Sequence, residues 1–128
     1  MLLFLIIIGA VESIAQQPPL EASKKRGSAI YMATCGSCHM PTGEGLEGVF
    51  PPLAKTNYLK DQKRAIGIVL NGQEGEITVN GVKYDSHMAG FDHLKDQEIA
   101  DVLNFVSNSW GNKNPVITPA QVKAGRKK

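Results

Sequence analysis

Five consecutive residues carry most of the chain's reactive side chains: Cys35, Gly36, Ser37, Cys38 and His39. They include both cysteines of the 128-residue chain and one of its three histidines. A Cys-x-x-Cys pair followed by His suits three chemistries: a redox dithiol, a metal site, and covalent attachment of haem. Zinc needs about four ligands, usually in two well-separated pairs. The remaining candidates here, His87 and His93, lie far downstream, and the adjacent Cys38 and His39 would point in different directions on a helix. A thioredoxin-like dithiol sits between a buried strand and a helix, whereas the residues before Cys35 read as helical. Haem attachment explains the spacing best. Two thiols on one helical turn reach the two vinyl groups of a porphyrin, and the next His falls beneath its iron.

Attachment of that kind occurs outside the cytoplasm, and the N-terminus fits export. Residues 2–8 are all strongly apolar and Ser13-Ile14-Ala15 places small residues at a cleavage site. Residues 1–15 therefore read as a secretory signal, although no Lys or Arg precedes the apolar run. An uncleaved interfacial anchor is the lesser alternative, since a membrane span needs about 20 apolar residues. Loss of Glu12 with the signal raises the net charge from +2 to +3. A mildly basic chain without a dense Lys/Arg stripe argues against nucleic acid. Scattered lysines can instead steer a docking partner. A bare disulfide between Cys35 and Cys38 would close too short a loop to stabilise much.

These residues must be held by the elements around them. After a linker at 16–22, the first helix runs into the cysteine motif, with Ser23 as its N-cap and Gly27, Tyr31 and Cys35 on one face. It ends at Pro41 and the glycines that follow. Pro51-Pro52 fixes an extended loop and leaves carbonyls without matching N–H groups. Residues 56–72 read as a middle helix stopping at Asn71-Gly72. The run 76–84 alternates about Asn80-Gly81 as a β-hairpin. A last helix begins near Asp96 and stops at Gly111, with Ile99, Val102, Leu103, Phe105 and Val106 as its apolar stripe. Thr118-Pro119 opens one more short basic helix in a tail, 113–128. The class is all-α with one small hairpin, as a single domain over 23–112.

Four stretches, "GSAIYMATCGSCH", "GVFPPLAKTNYL", "NGQEGEITVNGVKYDSHMAGF" and "LKDQEIADVLNFVSNSWGN", together resemble the class I monohaem cytochromes c. The likeness is to the small bacterial domains also attached to copper nitrite reductases and quinoprotein dehydrogenases. It implies one covalent haem c and its iron, with thioether bonds at Cys35 and Cys38 and His39 as proximal ligand. It also implies a His39 Nδ1 hydrogen bond to the carbonyl of Pro51, and Leu53 packed on the haem. Gly27 and Tyr31 would meet Val102 and Phe105 where the first and last helices cross. The sixth ligand is expected at Met88. Met1 leaves with the signal, Met32 reads as core, and Met40 follows His39 too closely to reach the opposite face. Relatives usually carry Met-Pro-x-Phe there, whereas this chain has Met88-Ala89-Gly90-Phe91, which implies a less rigid loop. His87 or His93 as ligand is the counter-reading. A second departure is Lys95, where relatives often cap the last helix with Ser or Thr, so Asp96 would cap instead.

The function this implies is a periplasmic one-electron carrier with His/Met ligation, not an enzyme. Its partners would be a terminal oxidase, a nitrite reductase or a quinoprotein dehydrogenase. The alternatives are a haem-free dithiol oxidoreductase or metal-binding protein using the same motif, and an enzyme whose sixth position opens to a small ligand.

Overall fold

The computed structural model describes residues 20–126. The stretch read as a signal, residues 1–15, together with residues 16–19, Lys127 and Lys128, lies outside the described residues. The elements follow in the order α1 (Leu20–Thr34), α2 (Gly36–His39), α3 (Gln62–Asn71), β1 (Ile77–Val79), β2 (Val82–Tyr84), α4 (Asp96–Ser107) and α5 (Pro119–Gly125), with a 3-10 turn at Tyr58–Lys60. The mostly helical class and the hairpin agree with the sequence. The strands pair antiparallel, Ile77 opposite Tyr84 and Val79 opposite Val82. Asn80 and Gly81 both have positive φ, 51° and 80°, as the tight turn favoured by strand twist requires.

Several boundaries differ from expectation, each for a physical reason. α1 begins at Leu20, within the stretch read as linker. Ser23 is therefore no cap: it is buried, and its hydroxyl donates to Asp101 Oδ1 at 2.7 Å. The middle helix divides at Asp61, whose carboxylate accepts the Arg64 N–H at 3.0 Å and caps α3. At α4 Lys95, not Asp96, holds the N-cap position, without a side-chain cap bond. Glu98 reaches back to the Lys95 N–H at 2.7 Å instead, and Asp96 pairs with Arg126. The same helix ends at Ser107 rather than near Gly111. The amides of Asn112 and Asn114 take the carbonyls of Val106 and Ser107, at 2.9 and 2.8 Å, so the last turn has partners without continuing. Thr118 and Gln121 cap α5 reciprocally.

The core is the crossing of α1 on α4, extended by Ile66 and Leu70 of α3 and Val122 of α5. Gly27 makes the crossing possible: a Cβ there would lie 2.0 Å from the carbonyl oxygen of Asp101 and 3.0 Å from Phe105 Cβ. Tyr31, fully buried, packs its ring on Phe105 and Trp110 at centroid distances of 5.5 and 5.1 Å. Its hydroxyl donates to the Met40 carbonyl at 2.6 Å and so ties α1 to the segment after α2. Burial, with smaller contributions from Cys35 and Glu44, pushes that phenol upward and keeps it a donor. Val102 belongs to the same buried cluster as Tyr31. It also lines the cavity described below.

Among the described residues no helix is long and apolar enough to cross a membrane. Met32, read from the sequence as core, is 55% exposed, because it lies about 100° round the helix from buried Tyr31.

Candidate functional site

The winding of α1 carries on past its end, which is what sets the spacing of the two thiols. The Cys35 N–H donates to the Tyr31 carbonyl at 2.8 Å, and the Cys35 carbonyl accepts from Cys38 and His39 at 3.2 and 3.0 Å. Cys35 and Cys38 thus stand about one turn apart. Both thiols are free. Met40, with φ of 68°, then turns the chain away.

His39 is buried and fixed from one side. Its Nδ1 lies 2.8 Å from the carbonyl oxygen of Pro51. A carbonyl only accepts, so Nδ1 carries the proton and Nε2 keeps its lone pair. The Pro51 loop is itself pinned: the Leu53 and Ala54 N–H groups both donate to the Gly43 carbonyl, at 2.8 and 2.9 Å, and Gly45 N–H donates to His39. Burial pushes His39 below the ordinary imidazole value, against the Pro51 bond, and so favours the neutral ring that binds metal.

Cys35 is shifted in the direction opposite to that of a reactive dithiol. Burial pushes its thiol up, the Thr34 hydroxyl at 3.3 Å opposes this, and Cys38 adds to it. Redox-active thiols are shifted down. Among the described residues, no three His, Cys, Asp or Glu side chains gather as a metal site.

Cys35, Cys38, His39, Pro51, Leu53 and Met88 line one cavity of about 350 Å³. Most of the remaining lining is apolar, with Val102 and Val106 from α4. A thiol pair, one buried neutral imidazole, one thioether and an apolar wall form a donor set that fits covalent haem. Of the described methionines Met88 alone lines the cavity. His93 does not line it. His87 does, but its ring sits 3.1 Å from the exposed Glu74 carboxylate, with the side chain 66% exposed.

The family model described as cytochrome c matches residues 24–110. The chain belongs to the cytochrome c family. Such proteins carry covalent haem c with its iron and act as electron carriers, not as enzymes. The chain is 37% identical over 132 residues to cytochrome c-552 of Thermus thermophilus, covering 85% of this chain and 88% of that protein. It is 36% identical over 91 residues to the cytochrome c subunit of the quinone alcohol dehydrogenase of Gluconobacter oxydans, covering 70% of this chain but 19% of that one. The cytochrome c subunit of gluconate 2-dehydrogenase from Pantoea cypripedii is 34% identical over 107 residues, 79% of this chain and 24% of its own length.

Within this cytochrome c the Met88 loop is better held than its sequence suggested. Met88 pairs through its backbone with Gln73 in both directions, at 2.9 and 3.0 Å, and the Phe91 N–H donates to the Val69 carbonyl at 2.7 Å. Gly90 lies so close that a Cβ would stand 2.7 Å from the Leu70 carbonyl oxygen. Gln73, Val69 and Gly90 were not legible as site residues, because what they give is backbone. Asn112 was missed for another reason: it donates to the Leu53 carbonyl at 2.6 Å and accepts from Thr56 N–H at 3.1 Å across more than fifty residues of sequence.

Proposed function

We propose that this cytochrome c is a periplasmic one-electron carrier, with thioether bonds at Cys35 and Cys38 and with His39 and Met88 as axial ligands. One observation carries the reading: of the described methionines, Met88 shares a cavity with His39 and both cysteines. The bound haem would supply a reversible Fe(III)/Fe(II) couple. Pro51 orients His39 and, by accepting its Nδ1 proton, makes the ring a stronger donor. The thioether of Met88 favours the reduced state and raises the potential. Leu53, Val102 and the other apolar lining residues keep water from the centre. With His39 and Met88 both holding the iron, no position would be left for bond chemistry, and the haem would serve only to pass electrons.

The partner is a redox protein, and the dehydrogenase cytochrome subunits among the relatives make a quinoprotein dehydrogenase a fitting donor. A nitrite reductase or terminal oxidase is a fitting acceptor. Lysines on the surface would steer such encounters, so their rates should fall with salt. Export to the periplasm rests on residues 1–15.

The test is spectroscopic. Haem should remain with the polypeptide after denaturation; a colourless protein with two titratable thiols would restore the dithiol reading. Met88→Ala should lower the reduction potential and abolish the near-infrared sulfur-to-iron band, while His87→Ala leaves it intact. A band that survives Met88→Ala would eliminate Met88.

A further inference from the structure

We propose that α5 and Arg126 form a lock on the Met88 loop and set how often its sulfur releases the iron. The inference rests on Met88 as sixth ligand. The loop is gripped at both ends, and both grips lead to the same C-terminal segment.

The upstream grip runs through α3. The backbone bonds of Met88, the close approach of Gly90 and the bond from the Phe91 N–H all go to the last turn of α3 or to Gly72 and Gln73 just beyond it. The Phe91 carbonyl accepts from Leu94. The loop therefore moves with α3. That helix is backed by α5: Val122 is fully buried, and a Cβ on Gly125 would lie 2.8 Å from Ile66 Cγ2 and 3.5 Å from Leu70 Cδ1. Gln121 Nε2 adds a bond to Gln62 Oε1 at 3.1 Å, at the other end of α3.

The downstream grip is Arg126, the residue after α5. Its three guanidinium nitrogens each find an acceptor: Nε the Asp96 carboxylate at 2.6 Å, one terminal nitrogen the Asp92 carbonyl at 2.7 Å, the other the Leu94 carbonyl at 2.6 Å. Asp92 follows Phe91 directly, so this fork fixes the point where the ligand loop leaves the cavity. A planar guanidinium can hold three acceptors at once, which an ammonium cannot do in the same geometry. α5 and Arg126 lie beyond 24–110, the part matched by the family model. The lock stabilises a loop whose Met-Ala-Gly-Phe lacks a proline.

Loosening such a grip raises the local open population without unfolding the rest. An external ligand reaches the iron only when Met88 has left, so its binding rate to the oxidised holoprotein reports that population. Imidazole binding, followed by stopped flow, should be about tenfold faster in Arg126→Gln, the change expected from losing charge-assisted bonds at a half-buried site. Arg126→Lys keeps the charge but loses the fork, and should fall between the two. It also carries the test if Arg126→Gln does not fold. Arg26→Gln removes an ion pair at the α1–α4 crossing and should bind imidazole at the wild-type rate. Wild-type rates in the folded Arg126 variants, or equal acceleration by Arg26→Gln, would overturn the lock. Absence of the near-infrared band from the wild type would instead sink the ligand assignment beneath it.

Discussion

The α1–α4 crossing and the Met88 loop support the same cavity by different means. At the crossing, side chains decide. Asp101 is almost fully buried and takes hydrogen bonds from Ser23, Arg26 and Gln97. Asn104 bonds Ser23 at 3.0 Å and holds both the N–H and the carbonyl of Ile117, at 2.7 and 2.9 Å. In the loop, main chain decides: Gln73, Val69 and Leu70 meet Met88, Phe91 and Gly90 through backbone atoms, with Arg126 as the side-chain contributor at its far end. A buried side-chain network depends on the identity of each member. A backbone-held loop accepts many identities but not added volume. The first arrangement governs whether the domain folds; the second, under the proposed ligation, governs whether the Met88 sulfur stays on the iron.

The harshest way to break this contrast is Gly27→Ala. The new methyl would fall on the Asp101 carbonyl, so α1 must lift from α4 and lose the packing of Tyr31 on Phe105. The expected loss is about 3 kcal/mol, the upper part of the range for overpacking, read by urea unfolding of the holoprotein. A loss under about 1 kcal/mol would mean the helices have slack that the geometry denies.

Gly90→Ala applies the same insult to the loop, where a Cβ would stand 2.7 Å from the Leu70 carbonyl oxygen and 2.8 Å from the Asn71 carbonyl carbon. Because the site is exposed at the surface, the loop can shift and the global loss should be nearer 1 kcal/mol. Its larger effect should be on the ligand. The near-infrared band should fade at a lower temperature than global unfolding, whereas in Gly27→Ala the two should move together. Matching behaviour in both variants would erase the distinction between the two supports.

The same contrast explains what the sequence could reveal. The cysteine motif, Pro51 and the hairpin are legible because their logic is local: a spacing, a missing donor, a pair of turn residues. Gly27 was legible as a place of close approach, and the family resemblance set Phe105 against it. Its contact with the Asp101 carbonyl was not legible, because the periodicity of one helix does not give its register on another. Ser23 shows the cost of that gap. A serine ahead of a helical pattern reads as a cap, yet Ser23 lies inside the helix, opposite a carboxylate 78 positions away. Met32 failed for a related reason, since an apolar residue beside the buried stripe is not itself in it. Glu98 rather than Asp96 capping α4 was within reach of the sequence, three positions after Lys95. The support of the Met88 loop was beyond it, because backbone atoms leave no mark on residue identity.

The smallest expected effect tests the crossing through pH. Burial alone would raise the Asp101 carboxyl, but the donors Arg26, Ser23 and Gln97 outweigh it and hold the group below the usual carboxylate range. The folded value is therefore lower than the unfolded one, which lies at about 3.9. Folding favours the ionised form, and its contribution is complete above that unfolded value and disappears as pH falls through the folded one. Asp101→Asn removes the titration while keeping the shape. Urea unfolding between pH 7 and pH 3 should show the variant less stable at pH 7, with a gap to wild type that narrows only below about pH 4. The Met88 band at pH 7 should be unchanged. A gap that closes instead between pH 7 and pH 5 would assign the pH response to some group other than Asp101, and a band that faded with it would show that the two supports are not independent.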